Sequence, residues 1–325
     1  AVAVSAGGAA GAAAPAAGKW QFRALNKGLD ASQISAVEHA LSASDVALIH
    51  GPPGTGKTTA VVEYIAQEVR RGARVLACTA SNIAIDNLVE RLMRVREASD
   101  AVSSSGASMK LVRMGHPARL LPAVLEASLE AQVLRSDNSA LARDCEKECR
   151  QLRTRLQKLG PKDRAERGEA RRELRRLAKE EKARQRKAVD EVIQGSNVVC
   201  CTLSGALGGP LRAESFDVVV IDEAAQALEA ACWGAMLKGK KVVLAGDHLQ
   251  LPPTVMSKEA AKDGLSETLF ARIHHKWNKE GVARMLNVQY RMNEDIMRWA
   301  SDELYEGKLT AAASVAGHRL GDGGA

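Results

Sequence analysis

The chain has 325 residues, 46% hydrophobic but only 3% aromatic, so Ala and Leu must pack much of a sizeable core. No run approaches the ~18 apolar residues of a membrane span, and the Ala/Gly-rich start lacks the basic-then-apolar order of a secretion signal. The formal charge is +7, yet residues 143–187 alone carry 18 Lys/Arg against 9 Asp/Glu, which leaves the rest slightly acidic. Basicity confined to one segment points to an attached element that faces a polyanion.

Residues 1–19 and 311–325 are Ala/Gly-rich and are expected to be disordered. The absence of an initiator Met suggests a piece of a longer protein. Between these ends, strand, loop and helix alternate. "DVALIH" (45–50) reads as a buried strand. "KTTAVVEYIAQEVRRG" (57–72) reads as a helix with Val61, Ile65 and Val69 on one face and Gly72 at its end. "RVLAC" (74–78) is the next strand. "SNIAIDNLVERLM" (81–93) is a helix with Ile85, Leu88, Val89 and Leu92 inward, capped by Ser81 or Asn82. "NVVCC" (197–201), "FDVVVI" (216–221) and "KKVVLAG" (240–246) are short runs rich in β-branched residues, as in a parallel sheet covered on both faces. This pattern predicts an α/β domain with right-handed crossovers.

Residues 140–193 interrupt the rhythm. Leu141, Cys145, Cys149, Leu152, Leu156 and Leu159 step by three and four, Gly160-Pro161 breaks the helix, and Leu174 and Leu177 resume a thin stripe. A charged antiparallel helical hairpin follows, either a solvated coiled element or a nucleic-acid-facing arm. Six cysteines show no metal pattern. Cys145 and Cys149 share a helix face but would need two further ligands for zinc. Cys200 and Cys201 point to opposite faces of a strand. They read as reduced packing thiols, which implies a cytoplasmic or nuclear setting.

Three runs carry chemistry. "GPPGTGKT" (51–58) fits G-x-x-x-x-G-K-[ST], follows an apolar strand and opens a helix. Gly51, Gly54 and Gly56 let the backbone N–H groups face a β-phosphate, and the helix N-terminus adds partial positive charge. Lys57 would reach the β/γ oxygens and Thr58 would ligate Mg²⁺. "FDVVVIDEAAQ" (216–226) ends an apolar strand in two carboxylates. Asp222 would hold the Mg²⁺ shell, and Glu223 would orient and deprotonate the attacking water. "LAGDHLQLPP" (244–253) places Gln250 after a strand end, where its amide can sense a γ-phosphate. Read alone, the same run is also a turn made by Gly, Asp and Pro-Pro. "TLSGALGG" (202–209) imitates a transport-ATPase signature, but Gly205, Gly208, Gly209 and Pro210 are expected to forbid the helix that signature needs.

Together, "GPPGTGKTT", "TASNIAIDNLVERL", "CTLSGA", "VVVIDEAAQALE", "LAGDHLQLPPTV" and "VQYRM" resemble, in order, the motifs of superfamily 1 helicases of the nonsense-mediated-decay type, over about residues 20–320. The resemblance implies a P-loop NTPase with a RecA-like parallel sheet over residues 20–139 and 194–283, the charged hairpin inserted between them, and the start of a second RecA-like domain at 284–310. It extends nucleotide binding along the whole run, adding Pro52, Pro53, Thr55 and Thr59. It also implies that Gln33 reads adenine, Tyr290 packs on the base and Arg291 contacts the γ-phosphate. Ser81, Asn82 and Thr202 would lie near a nucleic-acid strand, through contacts to phosphate and sugar. The implied activity is ATP- and Mg²⁺-dependent movement on single-stranded RNA or DNA, 5′-to-3′, by a monomer.

The sequence departs from the family in three ways. The family's β-barrel insertion ahead of the adenine-reading segment is not seen here. Its second RecA-like domain, with a further phosphate-contacting arginine, is only begun. Ala224 stands where Cys is frequent, a change expected to matter little. The resemblance therefore implies a fragment that binds nucleotide weakly and turns over little without the remaining domain. Two rival readings stay open: a P-loop ATPase that remodels protein partners without nucleic acid, and a non-catalytic module derived from a helicase.

Overall fold

The structure, a computed structural model, describes residues 22–102, 108–115, 120–160 and 163–319. The predicted apolar runs become the inner strands of one parallel sheet. These are β1 (Val46–His50), β2 (Val75–Thr79), β4 (Val198–Thr202), β5 (Phe216–Ile221) and β6 (Gly239–Gly246). Two short strands, β3 (Leu111–Arg113) and β7 (Ala283–Met285), close the edges in the order β3-β4-β2-β5-β6-β1-β7. β2 is buried at all five residues, which is why no polar alternation marks it.

Helices cover both faces. One layer holds α1 (Ala31–Ser42), α2 (Lys57–Arg70) and α3 (Asn82–Val102), packed on Ile49, Ala77, Cys200 and Val220. Between β3 and β4 run α4 (Leu129–Leu134) and a hairpin of α5 (Asp137–Lys158) and α6 (Arg164–Gln194). The opposite layer holds α7 (Leu203–Ala206), α8 (Glu229–Met236) and α10 (Leu269–Trp277), the last preceded by the short α9 (Lys258–Ala260). It packs on Leu48, Cys78, Cys201 and Leu244, so Cys200 and Cys201 do face opposite ways. All six cysteines are buried free thiols.

Several expectations change. The predicted break at 283/284 falls inside β7, whose residues pair with Leu48, Ile49 and His50 of β1, so this sheet extends through Met285. Beyond it, β8 (Val288–Gln289) and β9 (Thr310–Ala311) pair in parallel as a separate sheet, joined by α11 (Glu294–Leu304). Residues 311–319, expected to be disordered, carry the end of β9 and α12 (Ala313–Ala316), where Val315 is buried. The predicted tails 1–19 and 320–325 lie outside the described residues.

Helix α3 continues nine residues past the expected end at Met93. "LSGA" forms the one-turn α7 despite its glycine, because the Thr202 hydroxyl caps the Gly205 N–H at 3.2 Å and Leu203 and Ala206 are buried. A single turn tolerates what a long helix would not. The hairpin begins at Asp137, and Leu141 is 45% exposed, so the inward line runs through Ala142, Cys145 and Cys149. Its 31-residue arm α6 is about 46 Å long at 1.5 Å per residue. Much of its charge is paired locally, as in Arg150–Glu146, Arg176–Glu173 and Arg184–Glu180. The C-terminal end of α6 is anchored by the fully buried Ile193.

Candidate functional site

All strands of the main sheet run the same way, so the loops after β1, β5 and β6 meet at one edge. There they wall a cleft of about 780 Å³. The loop after β1 turns through Gly54 (φ +77°) and Gly56 (φ +73°), conformations that L side chains rarely adopt. Both also sit under close neighbours: a Cβ on Gly54 would lie 2.8 Å from the Arg291 Cβ, and one on Gly56 2.5 Å from the Gln33 Nε2. Helix α2 starts at Lys57, so its first backbone N–H groups have no partner within the helix. Pro52, Pro53, Thr55 and Thr59 line the same cleft.

Opposite the loop, the chain leaves β5 through Glu223 in the left-handed region (φ 56°, ψ 35°), a strained conformation for a residue with a side chain. That turn aims its carboxylate at Lys57, whose Nζ donates to Glu223 Oε2 at 2.7 Å. Behind it, Asp222 is 3% exposed and accepts from the Thr58 hydroxyl at 3.1 Å and from the Glu223 N–H at 2.9 Å. Burial pushes the Asp222 carboxyl up, and the charge of Lys57 opposes this. A threonine hydroxyl beside a buried carboxylate is a hard-oxygen donor set that suits Mg²⁺.

The third wall comes from β6. Gln250 faces the cleft, and its Nε2 donates to Asp247 Oδ2 at 2.6 Å. The floor comes from α1. Gln33, otherwise readable as an exposed helix residue, is 4% exposed, because its Nε2 donates to the Thr55 carbonyl at 2.9 Å and its Oε1 accepts from the Asp30 N–H. One amide hydrogen and one lone pair remain for a ligand. Tyr290 and Arg291 also reach the cleft. The Tyr290 N–H donates to the Gly54 carbonyl at 2.9 Å, and its hydroxyl to Asp30 Oδ2 at 3.0 Å. Gln289, fully buried, accepts from the N–H groups of Arg291 and Met292 and fixes the turn that presents Arg291.

Ser81, Asn82 and Thr202 lie apart from the cleft: Thr202 ends β4 and pairs with Thr79, the end of β2, and Ser81 and Asn82 follow Thr79. The Ser81 hydroxyl accepts from the Ala84 N–H, and the Thr202 hydroxyl accepts from the Gly205 N–H as the cap of α7. Asn82 Oδ1 accepts from Arg113 Nη2 at 3.1 Å.

Sequence reasoning missed several residues. Arg91 of α3 lines the cleft and donates to the Thr59 hydroxyl at 3.3 Å; only its place on the helix after β2 could have hinted at it. Arg113 is fully buried and pairs with Asp86 at 2.7 Å. His50, His248 and His274 bring ring nitrogens within 4.8 Å of one another, the only such group of three His, Cys, Asp or Glu among the described residues. Two of the rings, His248 and His274, lie 4.2 Å apart between centroids and are tilted by 37°. No local pattern announces these pairings.

A glycine-turned phosphate loop opening a helix, paired with strand-end carboxylates in a parallel RecA-like sheet, defines a P-loop NTPase fold. The comparisons with known proteins agree. The AAA domain family matches residues 28–258, and a second AAA domain family matches residues 265–322. DNA-binding protein SMUBP-2 of Mesocricetus auratus is 47% identical over 305 residues, covering 93% of this chain and 29% of that protein. DNA polymerase alpha-associated DNA helicase A of Schizosaccharomyces pombe is 42% identical over 291 residues, covering 90% of this chain and 41% of that protein. A regulator of nonsense transcripts 1 homolog of Drosophila melanogaster is 33% identical over 298 residues, covering 90% of this chain and 22% of that protein. The chain belongs to the AAA-domain helicases of superfamily 1, of the nonsense-mediated-decay type. It spans less than half the length of these relatives. Among the described residues, no helix is long and apolar enough to cross a membrane.

Proposed function

We propose that these residues form the first motor domain of an ATP-dependent helicase or translocase on single-stranded RNA or DNA, moving 5′-to-3′, together with the first elements of its second RecA-like domain. The observation that carries this reading is the convergence of Lys57, Glu223, Gln250 and Arg291 on one cleft from four separate parts of the chain. In this reading the loop 51–58 cradles the phosphates with its N–H groups. Lys57 leaves Glu223 for the β/γ oxygens, and the freed Glu223 carboxylate orients a water and takes its proton. Gln250 reads the γ-phosphate, and Arg291 supplies positive charge where the transferred group becomes most negative. Gln33 reads adenine and Tyr290 packs on the base. A bound Mg²⁺, held by Thr58 and Asp222, would neutralise charge on the phosphate oxygens.

Ser81, Asn82 and Thr202, at neighbouring strand ends, are proposed to meet the strand through phosphate and sugar. Such contacts predict salt-dependent binding with little base selectivity. The motor domain is proposed to run through Met285, with β8, α11 and β9 opening the second. The decisive experiment measures ATP hydrolysis by the full-length protein with and without single-stranded RNA or DNA. Stimulation that Lys57→Ala abolishes is expected. Hydrolysis indifferent to nucleic acid would favour an ATPase that remodels proteins.

A further inference from the structure

Asp247 ends β6 and is 2% exposed, yet its carboxylate is fully supplied with donors. Its two oxygens serve different parts of the fold. Oδ1 accepts from His50 Nε2 at 2.9 Å and from the Leu249 N–H at 3.1 Å, both belonging to the motor domain. Oδ2 is shared by Gln250 Nε2 at 2.6 Å and the Tyr305 hydroxyl at 2.7 Å. Tyr305 closes α11, in the β8–α11–β9 unit, and is 3% exposed. A single oxygen atom therefore joins the amide at the cleft to the neighbouring unit. Burial pushes the Asp247 carboxyl up, but the donors from His50, Gln250 and Tyr305 overcome it and hold it at about 2, so the group is ionised. Burial and the carboxylate push the Tyr305 phenol up, so it remains a donor.

We propose that Tyr305 is a positioning residue for Gln250, acting through the shared Oδ2 of Asp247. The seating of the β8–α11–β9 unit on the motor sheet then sets how readily the Gln250 amide turns toward a γ-phosphate. The proposal rests on the reading of Gln250 as the γ-phosphate reader. The physical basis is the cost of leaving a buried charge without a donor. With Tyr305 in place, Gln250 can leave Oδ2 and the oxygen keeps one charge-assisted hydrogen bond. Without the phenol hydroxyl, departure of Gln250 strips Oδ2 of both side-chain donors, and the amide stays where it is.

The test is calorimetric titration of this chain with ADP and with a non-hydrolysable β,γ-imido analogue of ATP, in Mg²⁺, for the parent, Tyr305→Phe, Gln250→Ala and the double variant. Phenylalanine keeps the ring packing and removes only the hydroxyl. Tyr305→Phe is expected to lower the preference for the analogue over ADP by about three- to tenfold. Gln250→Ala is expected to remove the preference, and the double variant to match Gln250→Ala. A preference within twofold of the parent in Tyr305→Phe, or an effect that adds to that of Gln250→Ala, overturns the proposal. If Gln250→Ala keeps the preference, the reading of Gln250 is what fails, and the proposal falls with it. A second measurement needs no nucleotide: the side-chain amide ¹⁵N signal of Gln250 should shift in Tyr305→Phe, and an unmoved signal overturns the coupling.

Discussion

Replacing Glu223 with Gln should tighten nucleotide binding while stopping hydrolysis. Lys57 and Glu223 hold each other at 2.7 Å, with side chains 11% and 31% exposed. A phosphate that recruits Lys57 must first break that pair. A charge-assisted hydrogen bond contributes about 1.5–3 kcal/mol. Because the carboxylate end is partly open to water, screening lowers this to about 1–1.5 kcal/mol. Glutamine keeps the shape but not the charge, so most of that cost disappears and affinity rises about five- to tenfold. Removing a carboxylate near the phosphates acts in the same direction. Equilibrium titration of this chain with a fluorescent ATP analogue measures the affinity, and steady-state phosphate release by the full-length protein measures turnover. Unchanged or weaker binding in Glu223→Gln would refute the competition between carboxylate and phosphate for Lys57. Retained turnover would refute the role given to Glu223.

Other outcomes are equally direct. Lys57→Ala should weaken nucleotide binding more than tenfold, because a charge-assisted contact of about 1.5–3 kcal/mol is lost outright; the same titration checks it. Arg91→Ala should weaken binding a few-fold and leave the melting temperature unchanged, since the side chain is exposed at the cleft wall. Asp86→Ala should destabilise the fold by about 3–5 kcal/mol in urea unfolding, because it leaves the fully buried Arg113 without its carboxylate. Burial, aided by neighbouring rings, lowers His248 and His274 to about 4, below the ordinary 6.5. The unfolded chain therefore takes up these protons first. Their contribution is complete above pH 6.5 and is lost as pH falls through about 4. Thermal melts should fall across that window, and His274→Phe should flatten the slope.

The central strands were legible because each is a short β-branched run bounded by turn chemistry, which identifies a strand even where burial on both faces removes the alternation. The cleft was legible for a different reason. Phosphate recognition needs contiguous backbone N–H groups, so "GPPGTGKT" writes its chemistry into eight neighbouring residues. What stayed hidden joins residues far apart in the chain. Arg113 and Asp86 are 27 positions apart, Tyr305 and Asp247 are 58, and His50 and Asp247 are 197. The edge strands β3 and β7, three residues each, were too short to show a period.

Gly54 shows how much one residue can conceal. From sequence it answers a local demand, a positive φ at the turn of the phosphate loop. In the fold it answers a second demand as well. Its carbonyl accepts the Tyr290 N–H, and the Arg291 Cβ would lie 2.8 Å from any Cβ placed on it. A side chain there would push away the segment that carries Arg291 even if the loop kept its turn. The phosphate loop and Arg291 are thus two sides of one contact. Gln289 locks the far side of that contact by accepting the Arg291 N–H at 2.8 Å. The position of Arg291 therefore depends on this short-range seat against the loop, and Asp247 and Tyr305 tie the same unit down at a second point. Two anchors hold one unit against one sheet, and each anchor passes through a residue of the cleft or its immediate partner. On the proposed reading of Gln250 and Arg291, a change at the phosphates and a change in the seating of that unit would therefore be coupled.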